Sequence, residues 1–232
     1  MTKPRILVVD DEPQILRFLR PALDAAGYDV IEAEKAADAI HKAATAAPDV
    51  VILDLGLPDM DGKEVISRIR GWSQVPIIVL SARDRETEKI AALDLGADDY
   101  IEKPFGIGEL TARIRTALRH ARQTGVPLDK VESDGLLIDL EHRAVTRGGE
   151  PIKLTPKEFD LLSLLVTHAG KVVTHKSLLT SVWGPAHGQD TQYLRVFIGQ
   201  LRGKIERNAA APIILVTEQG VGYRFVQADP PA

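Results

Sequence analysis

Cysteine is absent from this 232-residue chain, and its absence excludes several kinds of site. A protein without thiols forms no disulfide, binds no zinc through thiolates and has no cysteine nucleophile. Long apolar runs are missing as well: no stretch is long enough to cross a bilayer, and the N-terminus leads directly into a predicted strand without an apolar export segment. We therefore expect a cytoplasmic protein that makes no contact with a membrane.

An excess of positive charge is also missing, because the net charge is −4. This value would argue against a nucleic-acid ligand only if the charge were evenly spread. Residues 171–207 contain six Lys and Arg but only two Asp and Glu, which makes this segment locally basic. Such a patch is typical of contacts with a phosphate backbone, although a solvated helix face has the same composition.

Length and patterning predict two domains. A chain of 232 residues with 44% hydrophobic and 27% charged residues is typical of a globular protein, and it is too long for one ordinary core. Helical periodicity ends near residue 122, and Gly125 and Pro127 interrupt the segment that follows. We expect one domain over residues 1–122, a linker over 123–130 and a second domain over 131–228.

In the first domain, apolar runs alternate five times with helical patterns. The runs at 6–9 and 50–53 are continuously apolar, as in strands that are covered on both faces. Five strand–helix units predict an α/β doubly wound sheet, for which the flavodoxin-like strand order 2-1-3-4-5 is the natural arrangement.

Polar side chains follow four of these strands, at the edge where an open α/β sheet keeps its ligand site. Asp10 and Asp11 follow the first strand, Asp54 the third, Ser81 the fourth and Lys103 the fifth. Carboxylates that converge repel each other unless a cation lies between them, and Mg²⁺ prefers oxygen ligands. With an ammonium and a hydroxyl beside them, the acids are suited to hold a phosphoryl group on Asp54. For Asp54 taken alone, a turn or helix-cap role is the alternative.

The motifs that carry these residues are V-V-D-D-E, V-I-L-D-L-G-L-P-D-M-D-G, V-L-S-A and Y-I-E-K-P-F. In this order they resemble the receiver domain of bacterial response regulators, over about residues 4–122. The resemblance implies that Asp54 accepts a phosphoryl group from the phosphohistidine of a sensor histidine kinase. It also implies that Asp11, Asp54 and the backbone carbonyl of Gly56 bind Mg²⁺ directly, and that Asp10 does so through water.

Three further roles follow from the same resemblance. Ser81 and Lys103 would hold the phosphoryl oxygens. The bond between Lys103 and Pro104 would be a cis peptide, which only an X–Pro bond adopts at moderate cost. Tyr100 would move inward together with Ser81 on activation.

The resemblance further implies that phosphorylated chains form a homodimer through the fourth helix, the fifth strand and the fifth helix. An apolar patch and charged pairs, such as Lys89 with Glu109 and Asp99 with Arg113, are expected at this interface. The expected set is Lys89, Ile90, Leu93, Asp98, Asp99, Glu109, Ala112 and Arg113. From periodicity alone, a core-facing helix with solvated charges is equally compatible. His120 stands where an Arg usually faces Asp98, so we expect that contact to be weaker and pH-dependent.

The second half has a different pattern. Short apolar segments at 135–139, 143–147 and 152–154 predict a small antiparallel sheet. A helix is predicted after Thr155, where Pro156 and Glu158 complete a capping pattern, and two more helices are predicted over 174–183 and 190–207. The last of these places four apolar side chains on one face, namely Leu194, Ile198, Leu201 and Ile205. A hairpin with glycines in its turn ends the domain. The motifs L-T-P-K-E-F-D-L-L and G-V-G-Y-R-F make this half resemble the winged helix-turn-helix domain of the OmpR/PhoB subfamily.

This second resemblance implies that the third helix enters the major groove of promoter DNA and that the hairpin, the wing, contacts the backbone or the next minor groove. The residues expected to face DNA are Gln192, Arg195, Val196, Gln200, Arg202, Thr217, Gln219 and Tyr223. Gln219 stands where some relatives have an Arg, so the wing of this chain lacks a positive charge that those relatives have for contact with DNA. The loop 183–189 resembles a segment that contacts RNA polymerase in some relatives, and is equally compatible with a passive connector.

Two strings narrow the resemblance within this subfamily. They are H-G-Q-D-T-Q-Y-L-R-V-F-I-G-Q-L-R and T-E-Q-G-V-G-Y-R-F, and both are most similar to regulators of potassium-uptake operons. We therefore expect a transcription factor that is switched by phosphorylation and acts on such an operon.

Two alternatives come from other functional classes. A Mg²⁺ phosphatase of the haloacid-dehalogenase type also uses an Asp nucleophile on an α/β sheet, but that family needs a second Asp where this chain has Gly56. A receiver with a protein-interaction output domain is compatible with the balanced charge of residues 123–232. The motifs favour a protein that is not an enzyme, with at most slow self-dephosphorylation.

Overall fold

A computed structural model of the chain describes residues 3–82, 86–123 and 130–227, and the chain divides into two compact units, Met1–Gln123 and Thr124–Ala232. None of the helices over the described residues combines the length and the apolar character needed to cross a membrane.

The first unit is built on a parallel sheet of five strands. These strands are Arg5–Val9 (β1), Asp29–Ala33 (β2), Val50–Asp54 (β3), Ile77–Ala82 (β4) and Asp99–Lys103 (β5). Their order in the sheet is β2-β1-β3-β4-β5, which confirms the predicted doubly wound topology. Residues 50–53 of β3 are fully buried, because the strand has neighbours on both edges and helices cover both faces.

Five helices connect and cover these strands. They are Pro13–Ala25 (α1), Ala36–Thr45 (α2), Gly62–Arg70 (α3), Glu86–Asp94 (α4) and Ile107–Gln123 (α5). Local chemistry sets several of their ends: the carboxylate of Asp61 accepts the N–H of Lys63 at 2.9 Å and so caps α3. Gly27, with φ of 89°, follows α1 in a conformation that favours glycine.

The second unit begins with an antiparallel sheet of four short strands, in sequential order. They are Lys130–Ser133 (β6), Leu136–Asp139 (β7), Ala144–Arg147 (β8) and Glu150–Pro151 (β9). Two predictions were wrong here. Residues 152–154 form no strand, since the β8–β9 pairing ends at Pro151, and β6 was not foreseen. The missed signal is Asp134-Gly135, a dipeptide that favours tight hairpins and has φ of 47° and 71° here.

Three helices and a second small sheet complete this unit. The helices are Pro156–Thr167 (α6), His175–Trp183 (α7) and Thr191–Ile205 (α8), and the strands are Val172–Thr174 (β10), Leu215–Glu218 (β11) and Gly222–Phe225 (β12). The sheet order is β10-β12-β11, and β10 was not predicted because a three-residue strand carries little pattern. The predicted capping box of α6 is confirmed, with the hydroxyl of Thr155 accepting the Glu158 N–H and the Glu158 carboxylate accepting the Thr155 N–H.

The core of the second unit is centred on one face of α8. Leu194, Ile198, Leu201 and Ile205 are each at most 1% exposed, and they pack in one cluster with side chains of α6, α7 and both sheets. The predicted apolar face is confirmed. The opposite face of the helix is exposed.

Gly222 offers a sharp test of this packing, because a Cβ added there would lie 2.0 Å from the carbonyl oxygen of Val173. We expect Gly222→Ala to lower the free energy of unfolding of the second unit by about 3 kcal/mol, since backbone atoms on β10 would have to move. Gly199→Ala is the matched control: its Cβ would meet nothing within 4 Å, so it should stabilise α8 by up to about 1 kcal/mol. Urea unfolding of the full chain measures both, and equal midpoints for Gly222→Ala and wild type would contradict the packing.

Candidate functional sites

The carboxyl edge of the parallel sheet brings together groups that are far apart in sequence. The ammonium of Lys103, at the end of β5, lies 2.7 Å from Oδ1 of Asp54, at the end of β3. The same ammonium donates at 2.9 Å to Oδ2 of Asp10, which directly follows β1. It also lies 3.4 Å from Oε1 of Glu12. One cation is therefore shared by two strand-end carboxylates.

Burial and hydrogen bonding shift the pKa values of the charged groups at this edge. The Asp10 side chain is fully buried, and burial raises the pKa of its carboxyl although the hydrogen bond from Lys103 opposes the shift. Burial alone would lower the pKa of Lys103, but its hydrogen bonds to Asp54 and Asp10 raise it above the ordinary lysine value. Lys103 therefore stays positively charged, which it must do if it is to neutralise negatively charged oxygen atoms.

The loop after β3 shapes the surroundings of Asp54. Gly56 donates its N–H to Oδ2 of Asp54 at 2.6 Å, so both carboxylate oxygens are held. A Cβ at Gly62 would lie 2.7 Å from the Asp54 backbone oxygen, which means that this turn closes tightly on the strand end. The side chain of Asp54 remains 13% exposed, enough for a reactant to reach it. The Lys103–Pro104 peptide bond is cis.

The other predicted residues of this edge lie at different depths. Asp11 is exposed, Ser81 is 3% exposed on β4, and Tyr100 is 8% exposed on β5, where the Lys89 ammonium lies 5.4 Å from its ring centroid. Within the described ranges, no three Asp, Glu or His side chains come close enough to hold a metal ion by themselves. A cation at this edge would therefore need a backbone oxygen or water in addition to the carboxylates. Two acids already converging on one ammonium have the hard oxygen donors that Mg²⁺ prefers.

The charged residues predicted at a dimer face contact one another within one chain. Arg113 lies 3.0 Å from Asp99 and 3.3 Å from Glu109. Lys89, 3% exposed, lies 2.5 Å from Glu102. Ala112 is exposed, Ile90 is half-buried and Leu93 is buried.

Asp98 has an internal role that the sequence did not indicate. The Arg70 guanidinium at the end of α3 donates to Oδ2 of Asp98 at 2.7 Å, and the Ile77 N–H donates to the same oxygen at 2.8 Å. Asp98 is 7% exposed as a result. The side chain of His120 lies outside the described part of the structure, so its predicted contact with Asp98 stays a prediction.

In the second unit, the residues predicted to face DNA divide into two groups. Gln192, Arg195, Val196 and Gln200 are exposed on the outer face of α8, and Thr217 and Gln219 are exposed on the β11–β12 hairpin, the wing. Tyr223 is different: it is 4% exposed, belongs to the core and meets the His175 ring edge-on at 5.4 Å. Burial also raises the pKa of its hydroxyl.

An open cavity of about 430 Å³ separates α8 from the wing. Its lining residues are His175, Arg195, Ile198, Gly199, Arg202, Thr217, Gln219, Gly220 and Tyr223. Two guanidinium groups line this space without an acidic side chain among the lining residues, so it is suited to an anion. Arg202 is held by the wing itself, since it donates to the Leu215 carbonyl and to the Thr217 hydroxyl.

An aromatic cluster at the start of α8 was missed by the sequence reasoning. Tyr193 is 47% exposed and meets the rings of Trp183 and Phe197 edge-on, at centroid distances of 5.5 and 4.9 Å. The cluster brackets the loop between α7 and α8, which contains a short 3₁₀ helix at Pro185–His187. An aromatic residue directly after Gln192 was the available signal.

Comparison with known proteins agrees with both halves of the structure. Residues 6–115 match the response regulator receiver domain, and residues 149–225 match the C-terminal domain of transcriptional regulatory proteins. The KDP operon transcriptional regulatory protein KdpE of Escherichia coli K12 is 52% identical over 221 residues, which covers 95% of this chain and 98% of that protein. Transcriptional regulatory protein KdpE of Mycobacterium tuberculosis CDC 1551 is 49% identical over 223 residues, with the same coverage.

A solved structure of a related protein has a similar fold. Response regulator DrrB of Thermotoga maritima, an OmpR/PhoB homologue, is 30% identical, has a TM-score of 0.51 and covers 97% of this chain and 100% of its own. The match over residues 149–225 favours a DNA-binding output over the protein-interaction alternative, and the match over residues 6–115 favours a receiver over a phosphatase.

Replacing Lys103 by Met tests the shared cation. We expect the first unit to lose about 2 kcal/mol, because Asp10 and Asp54 then face each other without a positive charge. An acid whose pKa is raised in the folded state costs stability once it ionises, so the loss should grow as pH rises from about 4 to about 7. Added Mg²⁺ should restore much of the loss.

Calorimetric unfolding of the full chain measures this effect. Lys63→Met is the control, since Lys63 lies on α3 beside Asp61 and not at the strand ends. A loss for Lys103→Met that is independent of pH and unchanged by Mg²⁺ would contradict the shared-cation arrangement.

Proposed function

The chain belongs to the response regulators of the OmpR/PhoB type, and from this premise we propose that phosphoryl transfer to Asp54 controls its binding to the promoter of a Kdp-type, potassium-uptake operon. As a family member it is a phosphorylated regulator that binds DNA to control transcription and has a sensor kinase as partner. The observation that carries the choice of residue is the contact of Lys103 with both Asp54 and Asp10.

Phosphoryl transfer needs little from this chain beyond position and charge. An Asp54 oxygen attacks the phosphorus of the kinase phosphohistidine, the new O–P bond forms as the N–P bond breaks, and the imidazole leaves. Lys103, already bonded to Asp54, neutralises phosphoryl oxygens, and the Ser81 hydroxyl donates to another. Water hydrolyses the acyl phosphate slowly, so the chain remains a phosphoacceptor and not an enzyme with turnover.

Mg²⁺ is the ion that receiver domains generally use at this place, and the donors of this chain suit it. Asp11, Asp54 and the Gly56 carbonyl would hold it directly, with Asp10 acting through water. When bound, it offsets the negative charge that gathers on the phosphoryl oxygens. Asp10 and Lys103 keep the neighbouring oxygens oriented whether or not the ion is present.

The output follows from a change at Ser81 and Tyr100. When Ser81 turns toward the phosphoryl group, the Tyr100 ring, which is already buried here, moves with it, and the Lys89 ammonium that lies over the ring is displaced. The dimer then forms through the eight residues named for the α4–β5–α5 face. Of these, Asp98 would have to exchange Arg70 for a group of the partner subunit.

Dimerisation places two second units on neighbouring half-sites of DNA, which raises affinity by effective concentration. In each, the exposed side of α8 with Gln192, Arg195, Val196 and Gln200 lies in the major groove, and the wing contacts the next stretch of backbone. The α7–α8 loop is the segment offered to RNA polymerase. Because promoter DNA is the ligand, the protein acts in the cytoplasm.

The central test is Asp54→Ala, compared with the wild type by fluorescence anisotropy on a Kdp-type promoter duplex at stated salt. With Mg²⁺ and a small phosphodonor, wild-type affinity should rise about tenfold or more, because two linked sites then bind together. Asp54→Ala should keep the unstimulated affinity. Asp38→Asn, which changes an exposed acid paired with Lys42 on α2, should respond like wild type. Stimulation of Asp54→Ala would refute the assignment.

The pair Lys89–Glu102 supplies a second test, because Glu102 competes with Glu109 of the partner subunit for the Lys89 ammonium. We expect Glu102→Gln to tighten the phosphorylated dimer about two- to fivefold, the size of a partly exposed ion pair. Glu64→Gln removes the same charge from α3, where Glu64 pairs with Arg68, and should have no effect. Sedimentation with phosphodonor measures the dissociation constants. A weaker Glu102→Gln dimer would refute the competition.

A further inference from the structure

Arg202 lies near the end of α8 and is bonded to the strand that begins the wing. Its Nε and Nη2 donate to the Leu215 carbonyl oxygen at 3.0 and 2.5 Å, and Nη2 also donates to the Thr217 hydroxyl at 2.8 Å. The guanidinium lies 5.8 Å from the Tyr223 ring centroid on the paired strand β12. One side chain thus links the helix to both strands of the wing.

The strand that Arg202 binds is also held by a second side chain, at the C-cap of α8. The carboxylate of Glu206, which is 9% exposed, accepts the N–H groups of Ile214 and Leu215 at 3.0 and 2.7 Å. Arg202 and Glu206 therefore bind the carbonyl and the amide of the same residue, Leu215. The start of the wing is fixed to the end of α8 by its backbone and not by side-chain packing alone.

The neighbouring cations have internal partners as well. Lys204 lies 2.6 Å from Glu158, the capping residue of α6, and Arg207 lies 2.8 Å from the buried carboxylate of Asp134. Arg202, Lys204 and Arg207 are half of the six basic residues in the segment 171–207. The local positive charge therefore overstates the number of DNA phosphates that this segment can neutralise.

Arg195 differs from these three. It is exposed, lies two turns before Arg202 and faces the same cavity between α8 and the wing. Among the residues that the structure describes, none forms a hydrogen bond or ion pair with the Arg195 side chain, so a phosphate that entered this cavity would reach it without displacing a partner. Arg202 already uses Nε and Nη2 to hold the wing, so turning this edge of its guanidinium toward a phosphate would leave the Leu215 carbonyl without a donor, which is costly.

We propose that Arg202 is a positioning residue, which fixes the wing on α8, and that Arg195 makes the ionic contact with a DNA phosphate in the cavity between them. The assignment rests on the proposed DNA contacts and divides them between the two arginines. Thr217 then acts first as an acceptor for Arg202, and its own contact with DNA is secondary.

Salt dependence separates the two roles. Each phosphate neutralised by a side chain contributes about 0.9 to the slope of log K against log salt concentration. Removing a phosphate contact lowers the slope by about that amount, whereas removing a positioning contact weakens binding at every salt concentration equally. Lysine at position 202 would keep the charge but could not reproduce the paired Nε and Nη2 bonds to the Leu215 carbonyl together with the bond to Thr217.

The experiment measures binding of the phosphorylated full chain to a Kdp-type promoter duplex by anisotropy over a series of KCl concentrations. Arg195→Gln should lower the slope by about 0.9 per bound subunit. Arg202→Gln and Arg202→Lys should each weaken binding about tenfold without changing the slope, and hydroxyl-radical footprints should lose the protection due to the wing alone. Thr217→Val, which removes the acceptor without changing charge, should lose the same protection.

Arg68→Gln removes one positive charge from α3 of the first unit and should leave slope and affinity unchanged. Wild-type affinity for Arg202→Lys, together with a reduced slope for Arg202→Gln, would overturn the assignment. If the wild type bound the promoter no more tightly than a non-specific duplex, the proposed operon would be wrong. The slopes measured on the non-specific duplex at low salt would still decide between the two arginines.

Discussion

The contact of one ammonium with two carboxylates organises the first unit. Lys103 belongs to β5, Asp54 to β3 and Asp10 to the end of β1, so the group exists only when the parallel strands stand in the observed order. The sheet brings the three charged groups together. Because they are partly buried, their charges interact more strongly than they would in water. Any group that adds negative charge at Asp54 disturbs a balance on which three strand ends depend.

The second unit separates its structural and its ligand-binding surfaces along one helix. The inner side of α8 fills the core, and the residues after its midpoint are bonded to α6, to the first sheet of that unit and to the wing. The outer side of the helix contributes little to the core or to these bonds. This division explains how a helix with weak internal propensity, containing Gly199 and Gly203, is still well held: tertiary contacts outweigh local preference.

Sequence reasoning predicted the parts of the structure that depend on local pattern. The buried runs, the order of the strand-end acids, the capping box at Thr155 and the apolar face of α8 all follow from periodicity and residue type, and all are present. It failed where a short strand carries too few residues for a pattern, as in β10.

Partner choice among charged residues was also beyond the sequence. The sequence shows that an Arg, Lys or Glu carries a charge. It does not show which oppositely charged group the fold places beside it. Lys89 meets Glu102, Asp98 meets Arg70, and Arg202 meets a backbone carbonyl. Local composition counted Arg202, Lys204 and Arg207 as part of a basic patch, whereas each of the three is bonded to a group of the protein itself. The same limit applies to Tyr223, whose place in the motif favoured the surface but whose ring belongs to the core.

The exposed face of α8 has a consequence for how such proteins diverge. Gln192, Val196 and Gln200 take no part in the apolar core of the second unit. Substitutions at these three positions are therefore nearly neutral for folding, while in the proposed complex with DNA each would change the pattern of donors, acceptors and methyl groups presented to base edges. After gene duplication, copies could acquire new operators by drift at these positions without passing through unstable intermediates, as long as the contacts at the end of the helix are retained.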